Sequence, residues 1–251
     1  MDIAHGALAL FIVIVLPLSG RGRMTALRCN PGTGTRLAVY RHAVLALWAA
    51  TAATLALDPG WHLLLESAPL AHAWPGQHHF LAGAAVVTVC AFFMVTTGQG
   101  LACLRSAARR RQVAPAFARL RFMLPITQAE RRWWIVLSLS AGICEELLYR
   151  GFLLHWLSGE WPGGFRLGLP AAWALGALAF GLAHLYQGWR GAVASTAMGL
   201  VFGLLAIATG NLFLPMFLHT VIDLQVLWMY RPDLDGEASR CSMEATENFQ
   251  A

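Results

Sequence analysis

The chain has 251 residues, of which 57% are hydrophobic and 12% charged, and its mean hydropathy is +0.56. A soluble domain carries about 25% charged residues, so half that level argues against a soluble domain and for a membrane protein. All 18 basic residues are Arg, and with a net charge of +5 and a pI near 9.3 a nucleic-acid partner comes to mind. The arginines, however, fall between apolar runs, which is the pattern of membrane topology and gives no reason to expect nucleic acid.

Taken in chain order, seven apolar stretches have the roughly 17–25 residues that cross a bilayer. They are Ile3–Leu18, Leu37–Leu57, His79–Leu101, Trp133–Leu157, Pro170–Gln187, Gly191–Thr209 and Leu212–Tyr230. The expected fold is all-α, a polytopic transmembrane helical bundle. Trp61–Trp74 is shorter, carries His62, Glu66 and His72, and reads as an interfacial or re-entrant piece, with an eighth span there as the alternative. The first stretch has Asp2 in place of a basic leader region, its arginines come after the apolar run, and no small-residue cleavage site precedes them. A retained helix with its N-terminus outside is therefore expected. With the N-terminus out and the C-terminus in, sixteen of the eighteen arginines lie on the cytosolic side, Arg166 lies opposite, and Arg150 is inside a span.

The loop Arg105–Arg132 is basic and is interrupted by Pro115 and Pro125, with Phe117, Leu120 and Phe122 among its arginines. It reads as a positive-inside loop, with an amphipathic helix lying on anionic headgroups as the sharper alternative. At its end Thr127 and Glu130 form the T-x-x-E pattern of a capping box, which predicts a helix from Gln128 that runs unbroken through a pair of glutamates.

That pair begins a set of polar residues inside apolar spans: Glu145, Glu146 and Arg150; His184, with Gln187 at a helix end; and His219 with Asp223. A charge at bilayer depth costs roughly 2.5–3.5 kcal/mol on insertion scales, so such groups face a protein interior or a water cavity and mark a site. At 1.5 Å per residue they lie roughly 9–18 Å from the expected cytosolic ends of their helices. Glu146 and Arg150 are four apart and predict an internal ion pair of structural character. Glu145 points about 100° away and is left free to act as a base in the bundle interior. His219 and Asp223 again share a face, which places Asp223 either to accept from the imidazole and fix its tautomer or to point with His219 at a single ligand. Cys29, Cys90, Cys103, Cys144 and Cys241 form no CxxC pair, and Cys144 beside Glu145 reads as a packing residue. His72, His78 and His79 lack the accompanying carboxylate or Cys spacing of a metal site.

In this order, EELLYRG, FGLAH followed by YQG, and HTVID resemble the motifs E-E-x-x-x-R, F-x-x-x-H and H-x-x-x-N/D of the CPBP family of intramembrane endopeptidases, which includes the CAAX prenyl-protein protease. The resemblance covers about Thr127 to Leu227. It implies a glutamic-type peptidase in which Glu145 and His184 activate a water and His219 with Asp223 stabilises the oxyanion. Glu146, Arg150 and Phe180 would support them. Asp223 stands where prenyl-processing members carry Asn; an ionised carboxylate cannot donate to an oxyanion, so Asp223 is expected to orient His219, which donates alone.

The expectation is thus an integral protein of the bacterial inner membrane that cuts a membrane-anchored protein or peptide without a cofactor. Residues 1–126 would form N-terminal spans and the basic loop, 127–230 the catalytic core, and 231–251 a disordered cytosolic tail. A zinc version with Glu145, His184 and His219 as ligands stays open. So do a non-catalytic binding or immunity module and a transporter, although the chain lacks the internal repeats a transporter usually shows.

Overall fold

The computed structural model describes residues 3–57, 79–159 and 167–230, and these are helical with no strand among them. The Trp61–Trp74 segment, the side chains of the His72/His78/His79 group and the tail from 231 lie outside the described residues.

Helix α1 (Ile3–Leu10) continues through a π-helical stretch (Phe11–Val15) into α2 (Leu16–Ser19) and, after Gly20, α3 (Arg21–Cys29). Arg21, Arg23 and Arg28, read from sequence as loop charges, are therefore helical. α4 (Thr33–Leu57) and α5 (His79–Arg105) follow, and α6 (Ala107–Phe117) is a short helix inside the expected basic loop. Ser106 caps α6 by accepting from the Arg109 amide. α7 (Gln128–Glu146) runs into a π-helical stretch (Leu147–Leu153) and α8 (Leu154–Ser158). α9 (Leu169–Ala183), a 3-10 turn (Leu185–Gln187), α10 (Trp189–Thr209) and α11 (Phe213–Met229) complete the order.

The Thr127 capping box forms: its hydroxyl accepts from the Glu130 amide at 3.3 Å, and Glu130 accepts from the Thr127 amide at 2.8 Å. Glu130 also accepts from the Ile126 amide at 2.6 Å and pairs with Arg36 at 3.4 Å. Arg36 is buried and donates to the Phe122 carbonyl at 3.0 Å, while Tyr40 donates to the Met123 carbonyl. An arginine assigned by sequence to a cytosolic loop thus pins the 118–127 connection to α4.

The surface reverses the soluble pattern. Ile135 and Leu139 on α7, Leu175, Leu178 and Leu182 on α9, and Phe213 and Phe217 on α11 recur at helical spacing and are exposed. Stripes of that kind on helix after helix exceed the apolar patches a water-facing surface tolerates. Ile3–Cys29 and Trp189–Thr209 are long and apolar enough to cross a membrane, and Val89–Arg105, Leu169–Ala183 and Phe213–Met229 are shorter apolar helices.

Inside, small residues let backbones approach, as membrane bundles require. A Cβ on Gly142 would lie 2.9 Å from the Thr220 amide nitrogen and 3.0 Å from the Met216 carbonyl, so α7 and α11 touch there through backbone. Gly181 does the same for α9 and α10, where a Cβ would stand 2.6 Å from the Ala192 carbonyl.

Candidate active site

The π-helical stretch begins directly after Glu146, and such stretches inside α-helices occur frequently at functional sites. Despite the changed winding, Arg150 Nη1 stands 2.9 Å from Glu146 Oε1, as the four-residue spacing predicts. The guanidinium also lies over the Phe180 ring, 4.3 Å from its centroid, and 5.6 Å from that of Phe202. Rings from α9 and α10 therefore enclose the pair, and Glu146 is fully buried.

His219 reaches the same carboxylate from α11, its Nδ1 2.8 Å from Glu146 Oε1. A carboxylate paired with Arg is an acceptor only, so Nδ1 is the donor. The expectation that Asp223 fixes the His219 tautomer is corrected here: Asp223 Oδ2 is 3.9 Å from the opposite nitrogen, Nε2, beyond hydrogen-bond range. Glu146 has the nearer, better aligned oxygen because the Gly142 contact brings its turn of α7 against α11. Glu146 is accordingly more than a clip for Arg150. Phe202 stacks on His219 at 5.2 Å with an interplanar angle of 22°, and Phe180 meets the ring edgewise at 6.0 Å.

Glu145 points elsewhere, as its position in the helix predicts. Its Oε2 lies 3.8 Å from His219 Nε2 and has no hydrogen-bond partner. His184 ends α9, and its Nδ1 is 2.8 Å from the Phe180 carbonyl. A carbonyl only accepts, so Nδ1 donates, and in the neutral ring Nε2 keeps its lone pair. The Phe180 ring packs on His184 at 4.6 Å and on Tyr149 at 5.1 Å. After His184 the 3-10 turn leads to Gly188, whose φ of 86° and ψ of 170° only glycine adopts readily, and the chain turns there into α10.

Glu145, His184, His219 and Asp223 line one cavity of about 370 Å³, with Tyr149, Tyr186 and Gln187 beside them. Glu146, Arg150 and Phe180 stand behind its wall. Arg28 of α3 donates to the Tyr186 carbonyl and lies over Phe122 at 4.9 Å, tying the N-terminal helices to the turn after His184. Phe202, Tyr149 and Arg28 carry no sequence signal: an aromatic among many in apolar helices and one arginine among eighteen have nothing to distinguish them. Cys144 is fully buried in the apolar core, as a packing residue should be. Among the described residues no group of three or more His, Cys, Asp or Glu side chains is disposed to hold a metal ion.

Compared with known families, residues 127–225 match the model of the Type II CAAX prenyl endopeptidase Rce1-like family. No curated protein and no solved structure matches the chain significantly. The matched segment opens at the capping Thr127 and contains Glu145, Glu146, Arg150, Phe180, His184, His219 and Asp223. With an apolar exterior over an all-helical fold, this is an integral membrane protein, and its segment 127–225 is similar to the CAAX protease-like family, a family of endopeptidases.

Proposed function

We propose that the chain is an intramembrane endopeptidase of the glutamic type, acting on a membrane-associated protein or peptide in a bacterial inner membrane. One observation carries the reading: a carboxylate oxygen without a hydrogen-bond partner, Glu145 Oε2, lies 3.8 Å from His219 Nε2 in a cavity that His184 also lines. Such an arrangement supplies what peptide hydrolysis needs, a base for water and a donor for the developing oxyanion.

In this mechanism a water sits between Glu145 and His184 and is oriented by donating to His184 Nε2. Glu145 takes a proton as the water oxygen adds to the scissile carbonyl carbon, and the carbonyl π electrons move to oxygen. His219, with both ring protons in place, holds Glu146 through Nδ1 and donates through Nε2 to the oxyanion. Asp223 places a negative charge beside that imidazolium. The oxyanion then collapses, the C–N bond breaks, and the proton held by Glu145 passes to the departing amine, so the base ends as it began. The cavity opens to the cytosol in the N-out, C-in arrangement, and the segment 127–230 is the catalytic unit.

Glu145→Gln keeps the shape and removes the base. Comparing the membrane peptidomes of cells carrying the native chain and Glu145→Gln is expected to show at least one C-terminal processing product lost, its formation slowed by about 10²–10⁴-fold. Normal processing in the variant would overturn the reading in favour of a non-catalytic binding module. Metal content of the purified protein, with activity before and after chelation, tests the zinc version.

A further inference from the structure

A second cavity, of about 260 Å³, is the groove between α3 and the end of α9. Arg21, Met24, Thr25 and Arg28 line it from α3 at the spacing of one helix face, and Leu182, Leu185 and Tyr186 line it from the other side. Two exposed apolar stripes lead into it. Leu10, Ile14 and Leu18 run along the first helix, and Leu175, Leu178 and Leu182 run along α9 and are continued by Leu185. Leu18, Leu182 and Leu185 border the cavity itself, so both stripes end in it. Trp189, 67% exposed, follows the turn, and a Trp at the end of a span marks the headgroup level. No acidic residue lines the groove. Glu130 is committed to Arg36 and Glu146 to Arg150, while Glu145 and Asp223 gather around His219. Arg21 thus has no acidic partner among the described residues. Arg28 is held in place, donating to the Tyr186 carbonyl and lying over the Phe122 ring at 4.9 Å, and a guanidinium has further N–H groups to offer a ligand.

We propose that Arg21 and Arg28 bind the phosphodiester of an anionic phospholipid whose acyl chains lie along the two apolar stripes. Basic pockets between transmembrane helices on the Arg-rich side of a membrane are where anionic headgroups are held. A guanidinium presents a planar fork of donors that matches two phosphate oxygens, and Arg28, anchored by Tyr186 and Phe122, offers its fork with little freedom left to lose. An open groove is what this ligand needs, because its chains must reach the bilayer. The volume of about 260 Å³ is just below the roughly 300–1,000 Å³ of sites that enclose a whole small molecule, which suits a headgroup whose chains stay outside. Arg105 and Arg111 are also exposed but line neither of the two cavities, so exposure alone does not make the site. A lipid held here borders Tyr186, whose ring centroid is 5.7 Å from that of His184. The proposal does not rest on the peptidase reading, and both arginines lie outside the segment 127–225.

The test uses the full chain in nanodiscs of phosphatidylcholine with a minor fraction of phosphatidylglycerol. Native mass spectrometry reads the lipids that stay on the protein for the native chain, Arg21→Gln, Arg21→Gln/Arg28→Gln, Arg21→Lys/Arg28→Lys and Arg105→Gln/Arg111→Gln. The expected result is about tenfold enrichment of phosphatidylglycerol over phosphatidylcholine on the native chain and on the Arg105/Arg111 variant. Enrichment falls in Arg21→Gln, which leaves the tie from Arg28 to Tyr186 intact. It disappears in the Arg21/Arg28 double Gln variant and survives in part in the Lys variant. No enrichment on the native chain overturns the proposal, and so does enrichment that persists in the Arg21/Arg28 double Gln variant. An equal fall in Arg105→Gln/Arg111→Gln would mark a diffuse cationic surface and also overturns it. Soluble glycerophosphate separates the other source of phosphate: it is expected to leave the lipid in place, and displacement at matched concentration assigns the groove to a free phosphate and overturns the lipid site. No arm reads cleavage, so the peptidase reading stands or falls separately.

Discussion

Glu146 is fully buried, and one of its oxygens serves both Arg150 Nη1 at 2.9 Å and His219 Nδ1 at 2.8 Å. Removing the guanidinium takes from the buried carboxylate one of its two cationic partners and leaves only His219 beside it, and breaking a buried pair of this kind costs about 3–5 kcal/mol. Arg150→Met is therefore expected to lower stability by that amount, read as a shifted denaturation midpoint in detergent. Arg150→Met/Glu146→Gln should recover most of the loss, because it removes both charges, yet cleave slowly because a neutral amide oxygen accepts from His219 more weakly than the carboxylate and no longer favours its charged form. The pairing itself was legible from the four-residue spacing. The His219 contact was not: the two residues are 73 apart, and the helical wheel offered the nearer Asp223 instead. Helical spacing ranks partners on one helix and is silent about the neighbouring one, so the choice of Asp223 as orienter failed where packing of α7 on α11 decided.

At the level of elements, that packing depends on Gly142, where the two backbones meet. Gly142→Ala sets a methyl group against the Thr220 hydroxyl, which can turn aside, and against the Thr220 amide nitrogen and Met216 carbonyl, which cannot, so the helices are forced apart by a fraction of an ångström. A loss of about 1–3 kcal/mol is expected from overpacking, with a larger fall in cleavage rate because Glu146 and His219 separate. Measuring rate and denaturation midpoint on one preparation checks this; a variant with normal rate would show that the contact does not set the site. The start of α7 gives a pH-dependent prediction. Burial works against the Glu130 charge, but hydrogen bonds from the Thr127 and Ile126 amides and the Thr33 hydroxyl, with Arg36 nearby, hold its pKa below the usual value of 4.5. Its contribution is thus complete above that usual value and is lost as pH falls through the lowered one. Unfolding midpoints taken down an acid series should decline over that window, and Glu130→Gln should flatten the decline. The capping box was readable because it is written in four consecutive residues. The burial of Arg36 against it was not, since positive-inside reasoning counts arginines without asking where each side chain goes.

For the molecule as a whole, composition announced a membrane protein, and the exposed stripes of Leu, Ile and Phe are its structural counterpart. The arginine distribution predicts a topology that a reporter can read: fused after the last residue it should be active only as a cytosolic probe, and fused before the first only as an external one. The reverse pattern would place the cavity mouth on the outer face. The central claim is that groups from α7, α9 and α11 act together on one water, and a double-mutant cycle addresses it most directly. Cleavage rates for the native chain, Glu145→Gln, His184→Gln and the double variant should show each single change costing about 10²–10⁴-fold, with the double little worse than the more damaging single. A near-native rate in Glu145→Gln, or losses that multiply as if the two residues were independent, would contradict it.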